Sequence, residues 1–202
     1  MMNILIDKLP DTVAVSGFEI PINWDCRSGM RAHIALFDAD PAETDQMFLD
    51  AMYPELPFYI DVSDAFYAAA EFLMGAPVPT LPGQKRKPKP PERAYSFLYD
   101  QEKIFAAFYQ QYKIDLTKET LHWWVFHAML RNLRGNHMAD VMHMRTEQET
   151  AGMDDKERKR IRKNKSIWRL PEPVADQKYK DDLIACLKNG GVGLEALLNG
   201  EA

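Results

Sequence analysis

The sequence reads as a mainly α-helical protein in which an N-terminal β-hairpin precedes a multi-helix bundle, an α+β fold with minor β. Three observations lead there. Residues near the start alternate apolar and polar around Ser16-Gly17, a dipeptide suited to a tight turn. From residue 25 onward the apolar spacing changes from two to three and four, the helical period. Six prolines fall in the 16 residues Ala76 to Pro91, and that density separates a hairpin-plus-helices part from a helical part.

The elements follow in order. Thr12 to Val15 and Phe18 to Ile22 form the hairpin, with Pro21 marking an edge or a strand end. The earlier run Ile4-Leu5-Ile6 is a candidate third strand. Asn23 or Asp25 caps a helix to about Phe37, with Met30, Ile34 and Phe37 on one face. Pro41, Glu43 and Thr44 open a second helix carrying Met47, Phe48, Ala51 and Met52, and Pro54 and Pro57 end it. Ser63 or Asp61 starts a third, bearing Phe66, Ala69, Ala70 and Leu73, which stops at Gly75. The expected organisation is residues 1–75 as hairpin plus helices, 76–94 as a Pro/Lys-rich linker and 95–202 as a C-terminal helical region.

Beyond the linker, Asp100 caps a helix to about Tyr112 that places Ile104, Phe105, Phe108 and Tyr112 on one face. Thr117 with Thr120 opens the next. In Leu121 to Leu130 eight of ten residues are apolar, and the adjacent Trp123 and Trp124 point about 100° apart around the axis. A helix apolar on most sides is buried on most sides, so it is the expected centre of the second half's core. Helices are also expected from Met138 to about Glu149, from Asp154 to Lys165 with Ile161 as its chief apolar position, and from Gln177 to Leu187.

Composition bounds the function. The chain has 202 residues, with 46% in the hydrophobic set and a net charge of -5, values of a soluble globular protein. No window approaches the ~20 apolar residues of a membrane span and no secretory signal is evident, so a cytoplasmic location without membrane contact is expected. Cys26 and Cys186 lie far apart and form no metal or disulfide pattern. The charge is segregated: residues 1–75 carry 13 acids against the three bases Lys8, Arg27 and Arg31, a local -10. Lys85 to Arg93 has five bases against one acid, and Asp154 to Arg169 eight against three.

Constellations with chemistry are scarce. His122 and His127 are five apart and His137 and His143 six, neither being the i,i+3 or i,i+4 spacing of a metal-binding helix face. Acid pairs such as Asp38/Asp40 and Asp154/Asp155 lack the contrasting environments that acid-base work requires. No phosphate-cradling glycine loop or nucleophile elbow occurs. The expectation is therefore no enzyme, no catalytic residue, no metal and no cofactor. Lys156 to Lys165 is the one nucleic-acid candidate, since Arg158, Arg162 and Lys165 share a helix face as a basic patch. Aromatic platforms are missing within that run, which disfavours nucleic acid as a partner.

Several motifs carry a resemblance: Tyr99-Asp100-Gln101-Glu102, Ile104-Phe105-Ala106-Ala107-Phe108, Gln111-Tyr112-Lys113-Ile114-Asp115-Leu116, Leu121-His122-Trp123-Trp124-Val125-Phe126 and Leu130-Arg131-Asn132-Leu133. Leu9-Pro10, Ile22-Asn23-Trp24-Asp25-Cys26-Arg27, Arg145 and the stretch Lys159 to Leu170 extend it. Together they resemble a bacteriophage family named after gene product fifteen of a siphophage of Gram-positive bacteria. The resemblance implies tail morphogenesis in the host bacterial cytoplasm, as a tail assembly chaperone that binds the apolar, helical tape-measure protein while tail tube proteins polymerise around it. It implies no catalytic residues. Met-rich and aromatic surface suits such helix-in-groove binding, and Trp123, Trp124, Phe126, Met129, Met138 and Met142 are the expected partner-binding residues. Homo-oligomers are compatible with it. A nucleic-acid-binding accessory acting through residues 156–165, and a structural tail component, are the alternatives.

Overall fold

A computed structural model of the chain describes residues 3–39, 41–75 and 92–171. Two short strands and seven α-helices lie among them, so the protein is mainly helical with a small N-terminal hairpin. The described residues gather into two compact units. One holds residues 3–39, 41–75 and 120–128, the other residues 92–119 and 129–171. Most of the Pro/Lys linker, the expected helix Gln177 to Leu187 and Cys186 lie outside the described residues.

In the first unit, β1 (Thr12–Val15) pairs antiparallel with β2 (Phe18–Pro21), Val15 opposite Phe18 and Thr12 opposite Pro21. Ser16 and Gly17 both have positive φ, 50° and 85°, the signature of the primed two-residue turn whose twist matches a hairpin. Val15 and Ile20 are buried while Phe18 and Glu19 are exposed. The expected third strand is absent: Asn3 accepts backbone bonds from Ile6 and Asp7, closing a local turn that leaves Leu5 and Ile6 exposed.

α1 (Cys26–Asp38) begins at Asp25, whose carboxylate accepts from the N–H groups of Arg27 and Ser28 at 2.9 and 3.2 Å. Its buried residues are the small Cys26, Ser28, Gly29, Ala32 and Ala35 with Leu36; Met30, Ile34 and Phe37 are only half-buried. The expected large-residue stripe thus flanks the contact. α2 (Pro41–Met52) buries Phe48, Leu49 and Met52, with Met47 exposed. α3 (Val62–Leu73) is capped by Asp61 and ends before Gly75, where φ is 87°. Phe48 of α2 and Phe66 of α3 meet at 4.5 Å, and the Tyr53 hydroxyl donates to the Ala65 carbonyl at 2.6 Å. Each buried Phe or Met of this kind contributes roughly 1.5–3 kcal/mol.

α5 (Trp123–Arg131) starts in the first unit and ends in the second. Its start comes later than Thr117 and Thr120 suggest, because the Asp115 carboxylate takes the Thr117 N–H and hydroxyl into a local turn. Residues 121–123 instead pair with residues 24–26, through Cys26 N–H to Leu121 and Trp123 N–H to Trp24. The Trp123 and Trp124 indole N–H groups each donate at 2.8 Å, to the carbonyls of Leu73 and Phe72 at the end of α3. The Trp pair therefore belongs to the first unit's core and supplies donors to the last carbonyls of α3, rather than centring the second half.

In the second unit, α4 (Gln101–Tyr112), α6 (His137–Thr146) and α7 (Asp155–Trp168) pack with α6 against each of the other two. Asn136 and Asp154 cap α6 and α7 through the N–H groups of Ala139 and Glu157. The buried Arg145 guanidinium joins three segments: it donates to Asp100 at 2.5 and 3.1 Å, to the Ala94 carbonyl and to the Trp168 carbonyl.

Candidate functional site

The described part of the second unit offers a helix with two apolar faces, and α4 is that helix. Ile104, Ala107 and Phe108 point inward. Phe105, expected on the same face, points out: it is 38% exposed, Tyr109 one turn on is 55% exposed, and their rings stack at 6.3 Å with 17° between planes. Leu98 and Tyr99 extend the exposed face from the turn before the helix.

Local chemistry fixes this presentation. The Asp100 carboxylate occupies the N-cap position but makes no bond to the α4 amides; it accepts from Arg145 and from the Ser96 N–H at 3.0 Å. Burial alone would raise this carboxyl, but the bonds from Arg145 and Ser96 outweigh it and hold the group below the usual carboxylate range. The Ser96 hydroxyl accepts from Leu98 and Tyr99 N–H at 3.1 and 3.2 Å, so the turn that displays those two side chains is anchored from inside. At the far end Lys113, with φ 59°, closes the helix in the left-handed region.

The outward rows suit a second helix. Phe105 and Tyr109 form one i,i+4 ridge; Glu102, Ala106 and Gln110 form the next, with the small Ala106 at its centre. Beside it a shallow cavity of about 200 Å³ is lined by Ala106, Ala107 and Gln110 of α4 and by Asn136, His137 and Met138. It is smaller than the ~300–1,000 Å³ typical of small-molecule sites, so the recognisable feature is the face, not the hole.

The six residues expected to bind a partner are dispersed. Trp123, Trp124 and Phe126 are buried in the first unit. Met138 is buried in the second, where Met129 and Met142 are half-buried. Core packing accounts for the buried four as they stand. The basic patch is largely spoken for within its own unit. Arg162 makes a two-point ion pair with Glu149 at 2.7 and 3.0 Å, Arg160 does the same with Glu147, Lys165 pairs with Glu92, and Arg158 donates to the Met153 and Ala151 carbonyls.

Each of the four clustered histidines has a separate setting. His127 stacks on Trp123 at 5.4 Å, His137 meets Trp168 edge-on, and His143 lies near Glu147. His122 stacks on Trp24 at 5.7 Å, and its Nδ1 accepts from the Trp124 N–H while its Nε2 lies 3.0 Å from the Pro10 carbonyl. A carbonyl only accepts, so Nε2 carries the proton and the ring is neutral. Burial lowers its pKa below the ordinary histidine value, against the Pro10 bond. Cys26 is buried and free, with its thiol pushed up chiefly by burial. Among the described residues no His, Cys, Asp and Glu gather into a group able to hold a metal ion, and no helix is long and apolar enough to cross a membrane.

A mainly helical protein with a hairpin, two compact units and an exposed aromatic helix face is the class these features define. The sequence model of the family described as Bacteriophage Gp15 protein matches residues 5–170, and the chain belongs to that family. Among curated proteins and solved structures, nothing matches the chain. The family suggests a phage-related structural or morphogenesis role. The match takes in the Asp100-to-Arg145 clamp and the α4 face.

Proposed function

We propose that the protein is a non-enzymatic tail assembly chaperone that binds the phage tape-measure protein in the host cytoplasm during tail tube assembly. The observation that carries this reading is the exposed, stacked Phe105 and Tyr109 pair on α4. Two aromatic rings held parallel on the solvent side of a clamped helix form a flat, low-entropy anchor for an amphipathic partner helix. Ala106 in the neighbouring row lets that helix approach closely. A long apolar helical protein that must stay dissolved before its tube forms presents such helices in series. Binding follows from burial of apolar surface, which requires neither cofactor nor catalytic residue.

Co-expression tests it. With the chain present, the tape-measure protein remains in the soluble fraction and copurifies. With Phe105→Ser/Tyr109→Ser it returns to the pellet. Equal aggregation with and without the wild-type chain refutes the proposal.

A further inference from the structure

The hairpin end of the first unit carries an apolar surface that the core does not use. The Ser16 hydroxyl donates to the Asp64 carboxylate and so ties the hairpin turn to the first turn of α3. Beside that tie, the Phe18 ring lies 5.4 Å from Tyr59, and Tyr59 lies 5.6 Å from Phe58. All three rings are exposed, Phe58 at 99%. The same stretch of chain carries the exposed acids Glu55, Asp61 and Asp64, the last of them the carboxylate that takes the Ser16 hydroxyl. Exposed aromatic clusters with a charged rim mark interaction surfaces. This one calls for an apolar anchor flanked by cations.

The chain supplies such an element itself. On α7 Arg160, Arg162 and Lys165 are engaged by Glu147, Glu149 and Glu92 and Arg158 donates to backbone carbonyls, but Lys156, Lys159 and Lys163 make no ion pair among the described residues and are exposed. They recur at i, i+3 and i+7, so they form one stripe about 10 Å long. Ile167, one turn beyond Lys163 on the same stripe, is 61% exposed. Three lysines and one apolar side chain thus share a face. Lysines can also approach the faces of Phe58 and Tyr59.

We propose that the α7 stripe of one protomer docks on the hairpin-end surface of a second copy of this chain, building a head-to-tail assembly. Charge supports a second copy as the occupant: residues 1–75 hold 13 acids against three bases, whereas Asp154 to Arg169 holds eight bases against three acids. Donor and acceptor are different surfaces, so each added copy leaves one of each open, and growth continues until a ring closes. This goes beyond the chaperone reading and uses neither α4 nor any tail protein.

The test uses the purified full chain alone. Sedimentation velocity at low salt gives species larger than the monomer, which dissociate as salt rises because the contact is largely ionic. Lys159→Glu/Lys163→Glu removes the donor and Glu55→Lys/Phe58→Ser removes the acceptor; all four side chains are exposed, and each variant alone sediments as a monomer. Mixed in equal amounts, the two variants form a dimer and nothing longer, because one intact donor meets one intact acceptor. Wild-type chain that stays monomeric across concentration overturns the proposal. So does an assembly that survives both sets of substitutions, or a mixture that stays monomeric.

Discussion

Gly29 lies inside α1, and a Cβ built there meets Cε3, Cδ2 and Cζ3 of Trp123, the farthest at 2.8 Å. Propensity alone favours Gly29→Ala by up to about 1 kcal/mol, since glycine is the poorer helix former. Packing opposes it. The Trp123 ring cannot retreat freely: its N–H donates to Leu73, and it stacks with Phe126 at 5.7 Å and His127 at 5.4 Å. Overpacking costs about 1–3 kcal/mol, and losing the indole bond adds about 1 kcal/mol. Sterics win, and the first unit is destabilised by roughly 1–3 kcal/mol net. For a unit of this size that lowers the melting temperature by roughly 5–20 °C. Urea unfolding followed by tryptophan fluorescence measures it, with Gly152→Ala, where no atom lies within 4 Å, as a control expected to move little. A Gly29→Ala variant as stable as wild type, or more stable, refutes the packing of α5 on α1.

The neutral His122 predicts a pH response. Its pKa falls on folding, so the unfolded chain takes up the proton first; the stability it contributes is complete above about pH 6.5 and is lost as pH falls through the folded value. His122→Gln should flatten the pH dependence of the unfolding midpoint in that range, and an unchanged slope contradicts the assignment. Arg145→Met strips the two-point guanidinium pair from the buried Asp100 carboxylate, which keeps only Lys103 at 3.3 Å as a cation, and should cost about 3–5 kcal/mol, part of it recovered by adding Asp100→Asn. Failure of the double variant to recover in denaturant unfolding contradicts the clamp.

Element identity was legible in the sequence wherever local chemistry decides it. Ser16-Gly17 named the turn, Asp25 and Asp61 were each one of two candidates for the caps they fill, and Ile161 named the single buried position of α7. What failed were choices made by distant parts of the chain. α1 turns its small residues inward because Trp123, some ninety positions later, fills the space. Phe105 turns outward because Ile104, Ala107 and Phe108 already fill the inner face of α4, a second apolar stripe visible in the sequence but assigned to the first. The Trp pair read as the heart of the second half because periodicity reports burial and not against what. The ion pairs that occupy the basic patch come from Glu92, Glu147 and Glu149, which helical spacing within α7 does not reveal.

Titrating the purified chain with a soluble fragment of the tape-measure protein shows whether the α4 face binds it. Phe105→Ser/Tyr109→Ser should lower the unfolding midpoint of the second unit only modestly, because Tyr109 is 55% and Phe105 38% exposed, yet weaken binding under folded conditions by about 30- to 1,000-fold, the loss expected from two aromatic anchors. Binding that is unaffected by this pair, or absent from the wild-type chain, refutes recognition through Phe105 and Tyr109.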